Sequence, residues 1–315
     1  MAHDHHGHGH DDDHGHSHAG HSHAPASFGT AFAVGVALNI GFVAIEAVYG
    51  VLADSVALLA DAGHNLGDVL GLLLAWAAVW LARRQPSRRH TYGLRRSTVL
   101  ASLANAVALL VGAGALGWEA LSRFAAPRPA EAETVMIVAA IGIVINTATA
   151  LMFARGRKDD LNVRGAYLHM MADAAVSAGV VVAAFGMLMT GWLWLDPAIS
   201  LVIVVVIAVS TWGLLRDSLN LALDAVPAGI DAHAVEEYLT GLPGVSAVHD
   251  LHIWAMSTTE TALTAHLVRP DHGPDDALMA RIADELQHRF RIGHATIQVE
   301  SGNGEICRLA APGTV

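Results

Sequence analysis

Residues 58–68 read LLADAGHNLGD, a run of Leu, Ala and Gly into which Asp61, His64, Asn65 and Asp68 are set. The run lies inside an apolar window at 56–81, and about 20 residues of helix are enough to cross the hydrocarbon of a bilayer. Charge is costly at that depth, so ionisable residues kept there face the protein interior or a watery cavity and mark functional sites. The first question for the rest of the chain is therefore whether it is a membrane protein.

Composition answers it. Of 315 residues, 53% are hydrophobic and 15% charged, where a soluble chain carries about 25% charged residues. Further apolar windows of spanning length occur at 28–51, 98–121, 134–154, 165–190 and 197–215. Together with 56–81 they predict an all-α membrane domain of six transmembrane helices over 28–217. Gly112, Gly114 and Gly117 in the third window suit close helix packing through small residues.

The loops set an orientation. Arg83, Arg84, Arg88, Arg89, Arg95 and Arg96 lie between the second and third spans, and Arg155, Arg157, Lys158 and Arg164 between the fourth and fifth. The positive-inside rule places both loops in the cytoplasm. The loops at 51–55 and 191–196 have no Lys or Arg, and the latter offers Trp192 and Trp194 as interfacial anchors. Six spans then leave both termini in the cytoplasm.

From about 225 the pattern breaks into short amphipathic pieces. VEEYLTGL and DALMARIADELQHRF read as helices, and VSAVHDLHIWAM, TALTAHLV and ATIQVE read as strands. An α-β-β-α-β order predicts a small ferredoxin-like α+β domain over 218–300, with its helices on one face of the sheet. Residues 301–315 show little periodicity and read as a loose tail.

Ten of the twenty histidines fall in the first 23 residues, beside Asp4, Asp11, Asp12 and Asp13. Residues 1–27 are too polar to fold and lack the charged and apolar regions of a signal peptide. A flexible run of imidazoles gathers metal loosely, although a His run of this kind also arises as a dispensable tract. The net charge of −11 argues against nucleic acid as a partner, since phosphate binding needs clustered Lys and Arg. The single cysteine, Cys307, excludes an internal disulfide and a Cys-rich zinc module, leaving metal chemistry to His and carboxylates.

Residues four apart share a helix face, so His64 and Asp68 point the same way. YLHMMADAAVSAG in the fifth span repeats the arrangement with His169 and Asp173. Facing each other, the two pairs supply two imidazole nitrogens and two carboxylates, a tetrahedral set that zinc accepts, and two ionised Asp balance its charge. Asp61, one turn before His64, reads as an outer ligand or a proton acceptor, and equally as a residue that caps or satisfies a neighbouring helix. Asn39, Asn105 and Asn146 read as interhelical hydrogen-bond partners. Glu46 reads the same way, and it is also the residue to test for a proton role. An intramembrane metalloprotease would need a general-base Glu in a pattern such as H-E-x-x-H, and neither helix has one.

SVALLADAGHNLGD, AYLHMMADAAVSAG and HDLHIWAMS together resemble the cation diffusion facilitator family, close to its bacterial zinc and cobalt-zinc-cadmium resistance members. The likeness covers 28–300. It implies a homodimeric antiporter in a bacterial cytoplasmic membrane, surrounded by lipid, that exchanges divalent metal for protons and is not an enzyme. The transport site carries over onto His64, Asp68, His169 and Asp173, and a His-Asp pair on both helices implies zinc, with cadmium, cobalt, nickel and iron as alternatives.

The resemblance further implies a regulatory zinc in the cytoplasmic domain at His249, His266 and Glu300, with His294 as a possible addition. His252 falls on the opposite strand face from His249 by period-two alternation and reads as packing beside Trp254. An ion pair between membrane and cytoplasmic parts maps onto Arg96 and Asp224, with Arg95 as a substitute. Thr98 stands where the family often has Glu.

Overall fold

The computed structural model describes residues 30–154, 161–270, 275–302 and 307. The His-rich segment 1–27 and most of 301–315 lie outside them. Six long helices come first: α1 (Thr30–Leu52), α2 (Val56–Ala82), α3 (Ser97–Ala125), α4 (Ala132–Phe153), α5 (Leu161–Thr190) and α6 (Leu195–Ala222). Helices α2 to α6 are each long and apolar enough to cross a membrane, and the described side chains of α1 cover Ala37–Leu52. Helix α6 runs past the apolar window that ended at 215, because RDSLNLA contains few helix breakers.

The bundle is built from the pairs α1 with α2, α2 with α3, α3 with α6 and α4 with α5. Its interior is closed by Phe42, Leu58, Val135, Ala139, Val180, Ala184, Ile203 and Ile207. Apolar side chains also cover the outside, where Trp118 is 75% and Val209 71% exposed, a surface that suits lipid and not water. Small residues let the helices touch, at the expected Gly117, where a Cβ would lie 3.3 Å from Val204 Cγ1, and at places not expected. A Cβ on Gly67 would lie 2.1 Å from Leu109 Cδ2 and one on Gly142 2.5 Å from Phe42 Cζ, while Gly112 and Gly114 face open space.

At the end of the bundle away from the α+β domain, Asp196 in the first turn of α6 caps α2. Its carboxylate accepts from Ser55 Oγ at 2.5 Å and from the backbone N–H of Val56 at 2.9 Å. These bonds satisfy donors that a helix N-terminus leaves unpaired. They also place α2 against α6.

The second unit is α7 (Ala232–Thr240), β1 (Ala247–Ala255), β2 (Thr261–Val268), α8 (Asp276–Phe290) and β3 (His294–Glu300). Asp231 and Asp275 cap its helices by accepting backbone N–H bonds. The sheet order is β1-β2-β3, antiparallel then parallel. Val235, Leu239, Leu278, Ile282 and Leu286 from the helices pack on Ile253, Leu263, Ala265 and Leu267. The helices cover one face, and the other keeps its polar side chains.

Strand β1 is irregular where the motif HDLH sits. Asp250 takes a left-handed φ of 52°, and the register shifts so that His249 pairs with His266 while His252 pairs with Thr264. His266 and Thr264 share a sheet face, so the extra residue carries His252 onto the face of His249. This corrects the expectation from strict alternation, which a bulge breaks.

The two units meet through polar contacts. Arg96 bonds the carboxylate of Asp224, the pair mapped from the family likeness. Arg95 does not substitute for it, since it pairs with Glu260 at 2.9 Å. Thr98 Oγ accepts the backbone N–H of Thr258 at 3.1 Å, so a hydroxyl makes a contact between the units at the position where the family often has Glu.

Candidate metal centres

The helical spacing of H-x-x-x-D does bring the two pairs together. His64 Nε2 lies 3.7 Å from Asp68 Oδ2 and 3.6 Å from Asp173 Oδ1. His169 Nε2 lies 3.2 Å from Asp68 Oδ2 and 3.6 Å from Asp173 Oδ2. Imidazole and carboxylate thus alternate around a closed ring shared by α2 and α5. A tetrahedral zinc with bonds of about 2.0–2.2 Å has ligand-to-ligand edges of about 3.3–3.6 Å, which the four distances bracket. Asp68 Oδ2 and Asp173 Oδ2 are buried without a hydrogen-bond donor, as acceptors in a cation site would be.

Accessibility changes along the helices. On the side toward the α+β domain, the side chains of His169 and Asp68 are 41% and 31% exposed, whereas His64 and Asp173 are 16% and 2% exposed. One turn further, Asp61, Glu46 and Ser177 are fully buried. The more exposed members of the ring are thus the two nearer the α+β domain, and the residues behind them are buried.

Asp61 stays out of the ring. Its Oδ2 accepts from Ser177 Oγ at 3.0 Å, one helical turn beyond Asp173. Asn65 donates to Glu46 at 3.2 Å, and Asn39 donates to Met170 Sδ at 3.3 Å. Asn146 is buried, and neither of its amide atoms has a hydrogen-bond partner among the described residues.

A second cluster lies on the open face of the sheet. His266 Nδ1 is 2.9 Å from Glu300 Oε1, His249 Nε2 is 3.5 Å from Glu300 Oε2, and Cys307 Sγ is 3.6 Å from His266 Nδ1. One ligand atom from each of these four residues falls within 4.8 Å of the others. Two imidazoles, a carboxylate and a thiolate form a tetrahedral donor set that suits zinc. Asp250, held inward by the bulge, stands 3.6 Å from His266 Nε2 and 3.0 Å from His252 Nε2, orienting both rings. His252 is thus a neighbour of the cluster and not a packing residue alone.

Burial works to raise the Glu300 carboxyl, but a hydrogen bond from Cys307 and the imidazoles of His249 and His266 outweigh it and hold it below the ordinary carboxylate range. Its contribution to stability is present above that range and lost as pH falls through the lowered value.

Two sequence expectations change at this centre. His294 does not join it: His294 pairs with Ala262 at the far end of β3 from Glu300 and meets the Tyr92 ring edge-on at 5.5 Å. Strand geometry of about 3.3 Å per residue puts the two ends of β3 roughly 20 Å apart. Cys307 joins the centre, although a lone cysteine reads from sequence as neither a disulfide nor a Cys-rich module and so is not expected among the ligands. Its position a few residues past Glu300 is the signal that could have found it, since so short a connection can fold back onto the sheet.

The comparisons with known proteins agree with both units. The family model "Cation efflux transmembrane domain" matches residues 32–221, and "Cation efflux protein, cytoplasmic domain" matches 227–302. The chain is 40% identical over 272 residues to the zinc transporter ZitB of Escherichia coli, covering 85% of this chain and 86% of that one. It is 37% identical to the metal cation efflux system protein CzcD of Cupriavidus metallidurans, covering 88% of each. It is 34% identical to the cadmium, cobalt and zinc/H(+)-K(+) antiporter of Bacillus subtilis, covering 83% of this chain and 85% of that one. With a bundle of apolar helices, an α+β domain and matches along nearly their whole length, the chain belongs to the cation efflux family of membrane transporters, the cation diffusion facilitators, and is not an enzyme.

Proposed function

We propose that this protein is a proton-coupled antiporter that exports divalent cations, zinc foremost, from the cytoplasm across a bacterial inner membrane. The ring of His64, Asp68, His169 and Asp173 is the transport site, and the observation that carries the reading is its alternating imidazole and carboxylate geometry inside the bundle. Two ionised carboxylates cancel the charge of the cargo, which makes its desolvation bearable in a low-dielectric setting. The name of the Bacillus subtilis relative extends the cargo to cadmium and cobalt. Nickel and iron stay outside the proposal.

The exposure gradient supports an inward-facing conformation, with the open side of the ring toward the cytoplasm. Metal enters there and binds the deprotonated ligands. Rocking the helices opens the other side, where protons compete for the same lone pairs and release the cargo. An imidazole suits this exchange because its unperturbed pKa of about 6.5 is near working pH. Residues 28–217 form the transport domain and 218–300 the cytoplasmic domain, with both termini inside and two chains assembling as a homodimer. The cluster of His249, His266, Glu300 and Cys307 holds a regulatory zinc.

Everted membrane vesicles with an acidic interior should take up zinc in a saturable manner, competed by cadmium and cobalt. A protonophore should stop the uptake. Uptake that persists after the gradient collapses would overturn the antiport.

A further inference from the structure

Behind the metal ring lies a pair of buried carboxyls that the transport site does not use. Glu46 on α1 and Asp61 on α2 are both 0% exposed, and Asn65, one turn from Asp61 on the same face of α2, donates to Glu46, which brings the two carboxyls to the same place. Each already has one oxygen engaged from another helix: Asn65 donates to Glu46 Oε2 and Ser177 donates to Asp61 Oδ2. The remaining oxygens, Glu46 Oε1 and Asp61 Oδ1, are buried with no donor. Among the described residues no Lys or Arg forms an ion pair with either carboxyl.

Two adjacent carboxylates in such a place cannot both keep a negative charge, since each buried charge needs a counter-charge or a proton. A single proton answers both deficits: it turns one orphan oxygen into a donor and gives the other a hydrogen bond. The groups that face the pair from neighbouring elements are His64 on α2 and Asp173 on α5. Helix α4, also packed on α1, carries only Glu133, in its first turn.

We propose that Glu46 and Asp61 share one proton and form a proton-carrying site separate from the metal ligands, coupled to them across one helical turn. The proposal rests on the antiport reading of the ring. Asp61 precedes His64 by three residues and Ser177 follows Asp173 by four, so each helix links pair and ring over about 5.4 Å. Loading the ring with a divalent cation neutralises the negative charge of Asp68 and Asp173 beside the pair and so removes the repulsion that held the proton there. The O–H bond breaks, the proton leaves for cytoplasmic water, and the two carboxylates then face the cation. When the cargo departs outward, a proton from the outer side restores the pair.

The test counts protons released into weakly buffered solution as zinc is titrated into the purified full chain in detergent. Glu46→Gln fixes that side chain neutral and keeps its size. Zinc should still bind, with about one proton fewer released per zinc than in wild type, while Glu46→Asp restores the count. Metal-driven proton flux in proteoliposomes should fall in Glu46→Gln and return in Glu46→Asp. If Glu46→Gln does not fold, Asp61→Asn removes the pair from the other helix and is read in the same way.

An unchanged proton count with unchanged flux would overturn the proposal, as would loss of zinc binding in every variant of the pair. Failure of the ring reading looks different, because there Asp68→Ala would keep its zinc whatever the pair does.

Discussion

Asp173→Ala is expected to abolish zinc transport in proteoliposomes, with a loss of about 100-fold or more in metal affinity at the transport site. Losing even an outer-shell partner of a metal ligand costs about 10–100-fold, and the proposed site makes Asp173 a direct ligand. It is also the most buried member of the ring, at 2% exposed, and both imidazoles lie 3.6 Å from it. Removing it leaves the cargo with an excess positive charge on the buried side of the ring, where an unpaired charge is costly. The fold should survive, because Asp173 Oδ2 makes no hydrogen bond to any described residue. Circular dichroism and elution volume check that point, and full transport by a folded Asp173→Ala would remove this residue from the site.

His266→Ala is the second large effect, and it acts on stability. His266 is 8% exposed and touches both Glu300 and Cys307, so it is the hinge of the cytoplasmic cluster. A ligand that binds only the folded state stabilises it by about 2.7 kcal/mol at a hundred times its Kd. For a domain of this size that corresponds to a rise in Tm on the order of 10 °C. Wild type should show the rise when zinc is added and lose it with a chelator. His266→Ala should show neither, and Cys307→Ser should show part of it. Equal zinc-dependent Tm shifts in all three would contradict a metal site there.

How far the sequence could be read depended on whether local periodicity carried the information. His64 with Asp68, and His169 with Asp173, were legible because a helix repeats its face every four residues whatever surrounds it. The six spans and the order of the α+β elements followed from hydropathy and alternation in the same way. What escaped was set by tertiary detail. No glycine announces the bulge at Asp250, so the alternation rule put His252 on the wrong face. His294 lies on the same strand face as Glu300, but its distance from the cluster emerges only from the pairing with Ala262. The close approaches at Gly67 and Gly142 depend on which helices become neighbours, and Gly112 and Gly114 looked equally suited.

Asp61 shows the limit most clearly. Its place one turn from His64 was visible, and several roles were open to it. Its hydrogen-bond partner, Ser177, comes from another helix, and no spacing within one helix could have named it.

The most direct test of the central claim is zinc-edge X-ray absorption on the full chain in which His266→Ala and Cys307→Ser have removed the cytoplasmic cluster. The bound zinc should keep a four-coordinate shell of nitrogen and oxygen with two imidazoles and no sulfur, and this signal should vanish when Asp68→Ala is added. A sulfur in the shell, or an unchanged signal after Asp68→Ala, would contradict the claim.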